Sequence, residues 1–409
     1  MQKTIAVIGG GAAGFFSAIA CAETNREVKV ILLEKSRHLL SKVRISGGGR
    51  CNLTYACFDP RELVVNYPRG SKELLGPFHS WQPSDTVDWF ESKGVALKTE
   101  EDGRIFPTTD SSSTIVDCLI QTATELGVEI RTQSDVCLVS KEATESFTLS
   151  MRRGETLKAN RVIITSGGGA QSGGLEFAKN FGHTITEIAP SLFSFHIDDS
   201  RIKGLEGISV RNARIKCDQA KVEQLGPVLV THLGLSGPAI LKLSAWGARS
   251  FARLRYCFEI QINWLDNQSH ESVQIQLINQ KQDSGRKSVF SQCPFVLPRR
   301  IWERLAEAAG IESKIQWAQL NKEQVAALTG QLIDSRFQVS GKTMNKEEFV
   351  TCGGVRLGEI DFGCMESKRV SGLFFAGEVM DIDGVTGGFN FQAAWTTGRI
   401  AGTSVAKNL

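Results

Sequence analysis

The chain has 409 residues, which suggests two or three domains and is long enough to bury a large core without disulfide or metal staples. With 41% apolar and 22% charged residues it is not a disordered protein, and no apolar run reaches the ~18 residues of a membrane span. Its 47 basic and 44 acidic residues leave a net charge of +3, too near neutral for an obvious nucleic-acid protein, so the 40 glycines become the feature to locate.

Thr4 to Ile8 is a short β-branched apolar run, as a buried parallel strand requires. It feeds Gly9-Gly10-Gly11-Ala12-Ala13-Gly14, an alanine-rich helix to about Thr24, and a second strand, Val28 to Leu33, that ends at Glu34. In this G-x-G-x-x-G pattern Gly9 serves the tight turn, Gly11 a close approach to pyrophosphate and Gly14 helix–strand packing. The helix N-terminus, with Ala12 and Ala13, offers N–H groups to phosphate. Glu34 stands where a carboxylate accepts from a ribose, which favours FAD or NAD over NADP. The apolar N-terminus superficially imitates a signal peptide, but three consecutive glycines interrupt it, and a cytoplasmic protein is expected. Ten cysteines without a C-x-x-C and six scattered histidines point to reduced thiols and no metal.

Arg44 to Asn52, RISGGGRCN, places Gly47, Gly48 and Gly49 where backbone N–H groups can crowd a ligand, with Arg50 available to phosphate. Arg161 to Gly168 reads as a buried strand running into glycines, with Ser166 and Gly167 at its end. Ser172 stands where a second nucleotide motif needs a third glycine, so no dedicated NAD(P)H-binding unit is read. From about Pro190 to Arg255 the runs alternate as strands do, and from about Ser269 to Glu312 the pattern turns helical. Between 190 and 350 stand 21 lysines and arginines against 16 aspartates and glutamates, so the middle of the chain is its basic part. Arg201, Lys203, Arg211, Arg214 and Lys216 lie close together there, followed by Arg286-Lys287 and Arg299-Arg300, with Trp246, Trp264, Trp302 and Trp317 as candidate base-stacking rings.

Gly372 to Glu378 is a short apolar strand ending in Ala-Gly-Glu, followed by Asp381, Asp383, Gly388 and Asn390 and a small-residue helix from about Phe391. Such a strand brings an acid towards a ribityl–pyrophosphate. A helix N-terminus beside a flavin pyrimidine ring would stabilise the negative charge of its reduced form. This end of the chain therefore selects FAD over NAD.

Ile8–Gly14, Ser46–Asn52, Asp102–Pro107, Thr231–Pro238 and Cys352 through Asn390 together resemble the BaiN/RdsA-type (YhiN-like) bacterial flavoproteins. The chain departs from many of them at Thr165-Ser166-Gly167, where alanine-threonine-glycine is common; Ser166 keeps the hydroxyl. The resemblance implies an α/β protein of the two-dinucleotide-binding-domain flavoprotein type. Its Rossmann-like FAD-binding domain, 1–189 with 350–409, is discontinuous. A β-barrel-like domain is inserted at 190–260 and 325–349, and a small helical subdomain at 261–324. Implied cofactor contacts are Gly9, Gly11, Ala12, Ala13, Gly14, Glu34, Lys35, Lys42, Gly47, Gly48, Gly49, Arg50, Asn52, Val136, Ser166, Gly167, Gly377, Glu378, Asp383, Gly388, Phe389 and Asn390.

FAD supplies the redox chemistry in such a protein. The candidate chemical residues are Cys51, a proton donor or a packing residue of a tight loop, and His232, a proton shuttle or a turn histidine; Arg104 is an anion clamp or a structural ion pair. Family members are linked to reduction of an rRNA uridine, to oxidation of small amino-ketones and to steroid-ring reduction. The leading expectation is reduction of a ribosomal RNA uridine to dihydrouridine, with NAD(P)H as electron donor and no DNA or membrane partner. The alternatives are an oxidase or reductase of a small amine, ketone or ring substrate, and a non-catalytic flavin-binding redox sensor.

Overall fold

In the computed structural model, which describes residues 2–142, 146–169, 172–343, 350–407 and 409, the opening run forms β1 (Thr4–Ile8), with all but its first residue buried. It leads into α1 (Ala12–Thr24) and β2 (Lys29–Leu33), and β3 (Glu129–Arg131) and β4 (Arg161–Ile164) follow. β1 lies between β2 and β4, parallel to both, which is why its side chains are apolar on both faces. These strands belong to the first of two compact units, Met1–Pro190 with Lys346–Leu409.

The second unit is Ser191–Asn345. It contains β5 (Ser194–His196), β6 (Ser209–Cys217), β7 (Val222–Thr231), β8 (Gly234–Ser236) and β9 (Phe258–Asn263). Three helices follow, α2 (His270–Asp283), α3 (Arg299–Ala308) and α4 (Lys322–Ile333), then β10 (Ser335–Val339) and β11 (Gly341–Thr343). The sheet order is β10-β9-β6-β7-β8-β5-β11. Its two ends are consecutive in the chain, joined through Ser340, so the sheet curls back on itself as a barrel does. β9 alternates buried and half-buried residues along its length, as a barrel wall requires. The helical stretch over 261–324 does not form a core of its own. Trp302, Trp317, Leu305 and Leu328 share one hydrophobic cluster with Ile260, Ile262 and Phe337 of the strands. The expected end of the insertion at 349 lies outside the described residues.

Back in the first unit, β12 (Ile360–Asp361), β13 (Glu366–Ser367) and β14 (Leu373–Phe375) precede α5 (Phe389–Lys407). The sheet reads β12-β13-β14-β4-β1-β2-β3, five parallel strands with an antiparallel hairpin at one edge. α5 packs directly on α1: a Cβ on Gly398 would lie 2.8 Å from the Ala13 carbonyl oxygen, and one on Gly402 2.2 Å from that of Ser17. The small residues of both helices exist for that approach. No helix among the described residues is long and apolar enough to cross a membrane.

Candidate functional site

The site is built where the carboxyl ends of β1, β4 and β14 meet, the usual ligand position of an open parallel sheet. Gly9 leaves β1 with φ +117° and donates to the Leu33 carbonyl at 2.8 Å. A Cβ on Gly14 would lie 1.8 Å from the Gly9 oxygen, so Gly14 is required for packing. Gly11 differs: a Cβ there meets no atom within 4 Å. As the N-cap of α1 it supplies no side-chain cap, and the first turn holds no acidic residue. Ala12 and Ala13 open that turn, so the positive end of α1 is left for an anion.

Glu34 closes the other side of the turn. Its carboxylate accepts from the Gly10 N–H and the Ser36 N–H, both at 2.8 Å. Each oxygen keeps a second lone pair for a ribose hydroxyl, and the two backbone bonds fix the group in place. Lys35 is exposed beside it, and Val136 is buried at a bulge that starts its strand.

The loop after Ile45 turns through three left-handed glycines, Gly47, Gly48 and Gly49 (φ +58°, +69° and +84°), then Cys51 at φ +61°. Gly48 and Gly49 have open space where a Cβ would stand. Asn52 ties this loop to the C-terminal segment, its amide nitrogen donating to the Thr54 carbonyl and its oxygen accepting from the Gly388 N–H, each at 3.0 Å. Lys42 pairs with Glu378 at 2.6 Å, and a Cβ on Gly377 would lie 2.8 Å from the Ala13 methyl, so the Ala-Gly-Glu strand end abuts α1. Thr165 donates to the Ile8 and Gly9 carbonyls at 3.0 Å; Ser166 shares a 2.8 Å bond with Ser172, and Gly167 follows with an open face. The cofactor candidates of the first, second and last motifs are thus brought together. They fit a dinucleotide: an uncapped helix end for pyrophosphate, a fixed carboxylate for a ribose, and glycine faces that an ordinary side chain would fill.

Several side chains turn out to be committed elsewhere. Arg50 pairs with Glu100 at 2.6 Å and Asp110 at 3.5 Å and stacks on Phe106, so it is not a spare phosphate ligand. Arg104 binds Glu100 and Asp102, which makes it the structural ion pair of its two readings. The Asn390 amide accepts from the Gly384 N–H at 2.8 Å and donates to the Gly384 carbonyl at 2.9 Å, which staples a loop and leaves its backbone as the part available to a cofactor. Asp383 is fully buried in an ion pair with Arg69. Phe389 stacks on Tyr55, and its carbonyl accepts from the buried Tyr67 hydroxyl at 2.7 Å. Arg69 and Tyr67 were missed by sequence reasoning, because nothing in Tyr-Pro-Arg-Gly signals partners more than 300 residues away.

The two catalytic candidates fare differently from expectation. Cys51 is completely buried, and burial pushes its thiol up to about 12. Such a group has no path to a substrate and yields its proton poorly, so it is the packing residue of the loop. His232 stands at the tip between β7 and β8, 89% exposed, with Glu206 3.9 Å away as its charged neighbour. Of the tryptophans, Trp264, Trp302 and Trp317 are core residues and only Trp246 is exposed, so three of the four proposed stacking rings are unavailable to bases.

Comparison with known proteins adds to this geometry. The family model described as "HI0933-like protein Rossmann domain" matches residues 3–404. A protein of Escherichia coli K12 named ribosomal RNA dihydrouridine synthase is 32% identical over 96% of this chain and 95% of its own length. A Clostridium scindens protein named 3-dehydro-bile acid delta(4,6)-reductase is 26% identical over 99% of this chain and all of its own. The solved structure of a 3-ketosteroid-delta4-(5alpha)-dehydrogenase from Rhodococcus jostii RHA1 superimposes with a TM-score of 0.54 at 15% identity, covering 99% of this chain and 97% of that one, a likeness of fold. The fold is the Rossmann-type FAD-binding α/β fold.

Proposed function

The chain belongs to the HI0933-like Rossmann family and is an FAD-dependent oxidoreductase, and from that footing we propose that it reduces a uridine of large-subunit ribosomal RNA to dihydrouridine. The observation that carries the substrate is the likeness to the Escherichia coli enzyme, 32% identical over 96% of this chain and 95% of its own length.

When bound, FAD would supply hydride for C6 of the uracil ring, with NAD(P)H as the electron source and a proton at C5 to balance the addition. The chain's own residues bind and orient. The N-terminus of α1 at Gly11 to Ala13 holds pyrophosphate, and Glu34 fixes the adenosine ribose. The glycine turn 47–49 and the Gly167 face admit the cofactor closely, while Asn52 locks that turn to Gly388 at the mouth of α5. The start of α5, with no acidic residue in its first turn, would favour negative charge on a ring bound before it. We assign the proton to solvent, since Cys51 is sealed in the core. The target base must be unpaired or flipped out to be reached.

Mass spectrometry of digested 23S rRNA from cells lacking the gene, beside complemented cells, tests this. We expect one dihydrouridine to vanish and to return with the wild-type gene but not with Gly11→Val. An unchanged dihydrouridine content overturns it. The Clostridium scindens relative favours a second reading, reduction of a conjugated ring ketone, which the purified flavoprotein would then show as NAD(P)H-dependent loss of enone absorbance.

A further inference from the structure

Several of the basic residues that cluster in the second unit are neutralised. Arg201 pairs with Asp199 at 2.7 Å, Lys216 with Asp218 at 2.6 Å, and Arg214 with both Glu223 and Asp266. Arg336 is held by Glu259 and Asp334. Another group keeps exposed cationic donors on a fixed surface. The loop 199–208 is pegged to the core by Ile202 and Leu205 and to β7 by the Gly207 N–H bond to Val230, so it is a fixed surface. From it Lys203 projects, exposed, with no carboxylate partner among the described residues. The Arg300 guanidinium reaches the same loop and donates to the Gly204 carbonyl. Glu206, the acid of this loop, faces His232.

Arg299 and Arg300 open α3 directly after Pro298, and the mostly exposed Arg299 pairs with Glu303 one turn on at 2.7 Å. That helix has no side-chain cap and no acidic residue in its first turn. Two cations at the positive end of a helix oppose its dipole, the exposed Arg299–Glu303 pair offsets this only weakly, and an external anion relieves it further. Ile301, Trp302 and Leu305 anchor the helix in the core, so the arginines are set on a rigid base. Exposed Leu233 and Val296 flank the group.

We propose that Lys203, Arg299 and Arg300, with His232 at the rim, form the platform on which the second unit grips the phosphate backbone of a structured RNA. The inference rests on the rRNA reading of function. It replaces the aromatic base-stacking expected from the sequence with phosphate contacts, which position an RNA without reading its bases. It also gives exposed His232 a donor role that needs no catalytic geometry.

The test uses the holoenzyme and unmodified 23S rRNA extracted from cells lacking the gene. Binding is titrated over a series of salt concentrations for wild type, for Lys203→Gln, which removes no internal bond, and for Lys203→Gln/Arg299→Gln/Arg300→Gln. Each lost phosphate contact should lower the slope of log K against log salt by about 0.7–0.9. We expect the triple variant to lose about two to three such contacts and to bind at least tenfold more weakly at physiological salt, with flavin content unchanged and the melting temperature lowered by no more than a few degrees. Equal slope and affinity in wild type and triple variant overturn the platform, and so does a wild type that binds phosphatidylserine vesicles through these residues but not rRNA. If binding depends on the platform yet no dihydrouridine is formed in cells, the proposed reaction fails and the platform stands. If dihydrouridine is formed equally by the triple variant, the platform fails and the reaction stands.

Discussion

Gly11 and Gly14 stand three residues apart in one motif, and their surroundings are opposite. A side chain on Gly14 collides with the Gly9 carbonyl, whereas one on Gly11 enters empty space. Gly14→Ala should therefore destabilise the protein by about 1–3 kcal/mol, the usual cost of overpacking, visible as a lower urea midpoint with or without flavin. Gly11→Val should change the stability of the flavin-free protein by no more than about 0.5 kcal/mol, yet abolish the yellow absorbance of the purified protein. Stoichiometric flavin in Gly11→Val would remove α1 as the pyrophosphate site. Cys51 gives a second contrast. Loss of a general acid costs about 10²–10⁴ in rate, so Cys51→Ala, which removes a sealed thiol, should retain turnover within about threefold. A hundredfold fall would restore the thiol to the chemistry.

At the scale of elements, the edge hairpin β12–β13 is held by a buried polar knot. Glu359 accepts from the His183 ring at 3.0 Å, the Thr184 N–H at 3.0 Å and Arg369 at 2.9 Å, while the other His183 nitrogen meets Ser367 at 2.8 Å. Burial outweighs the attraction of Glu359 and lowers the His183 pKa below its usual 6.5. The Glu359 carboxyl is desolvated too, but Arg369 and its other donors bring it down from 4.5 to about 2. Both groups bind protons more readily in the unfolded chain, so both stabilise the fold fully above their unfolded values and lose that contribution as pH falls. The urea midpoint should begin to drop below about pH 6.5, fall further from about 4.5 towards 2, and lose the upper part of this decline in His183→Gln. A midpoint flat between pH 7 and 5 in the wild type would contradict the assignment. None of this knot was legible in the sequence, because its bonded partners lie up to 184 residues apart. What was legible is local: strand, glycine turn, helix and acid at the start, strand and small-residue helix at the end. The partners of Arg50 and Asp383 were missed for the same reason, since a motif shows where a side chain starts but not which partner, 50 or 314 residues away, takes it.

For the whole molecule, the first unit is discontinuous in sequence but continuous in its sheet and helix pairing, since β4, β14 and β1 are neighbours and α5 packs on α1. The chain's exit and return are themselves paired. Ile185 bridges Val355, and the strand Ala189–Ser191 lies beside Val350–Cys352. Neighbouring strands are about 5 Å apart, and a turn of two to five residues spans that distance. The alternating pattern of residues 190–260 pointed to inserted strands, whereas the assignment of 325–349 to the same domain came only from the family resemblance, because the pairing there joins Phe195 to Lys342 across the full length of the unit. Each unit then carries its own core, and the proposed labour divides between them: cofactor in the first, RNA backbone in the second. Replacing residues 192–344 by a short glycine–serine turn should leave a protein that unfolds cooperatively in urea, retains FAD after dialysis and no longer binds 23S rRNA. The residues assigned to pyrophosphate and ribose all lie outside the excised stretch, so a shortened chain that folds but emerges colourless would mean that FAD retention needs the second unit. One that folds and still binds rRNA with the full salt dependence would place the RNA contacts on the sheet side instead.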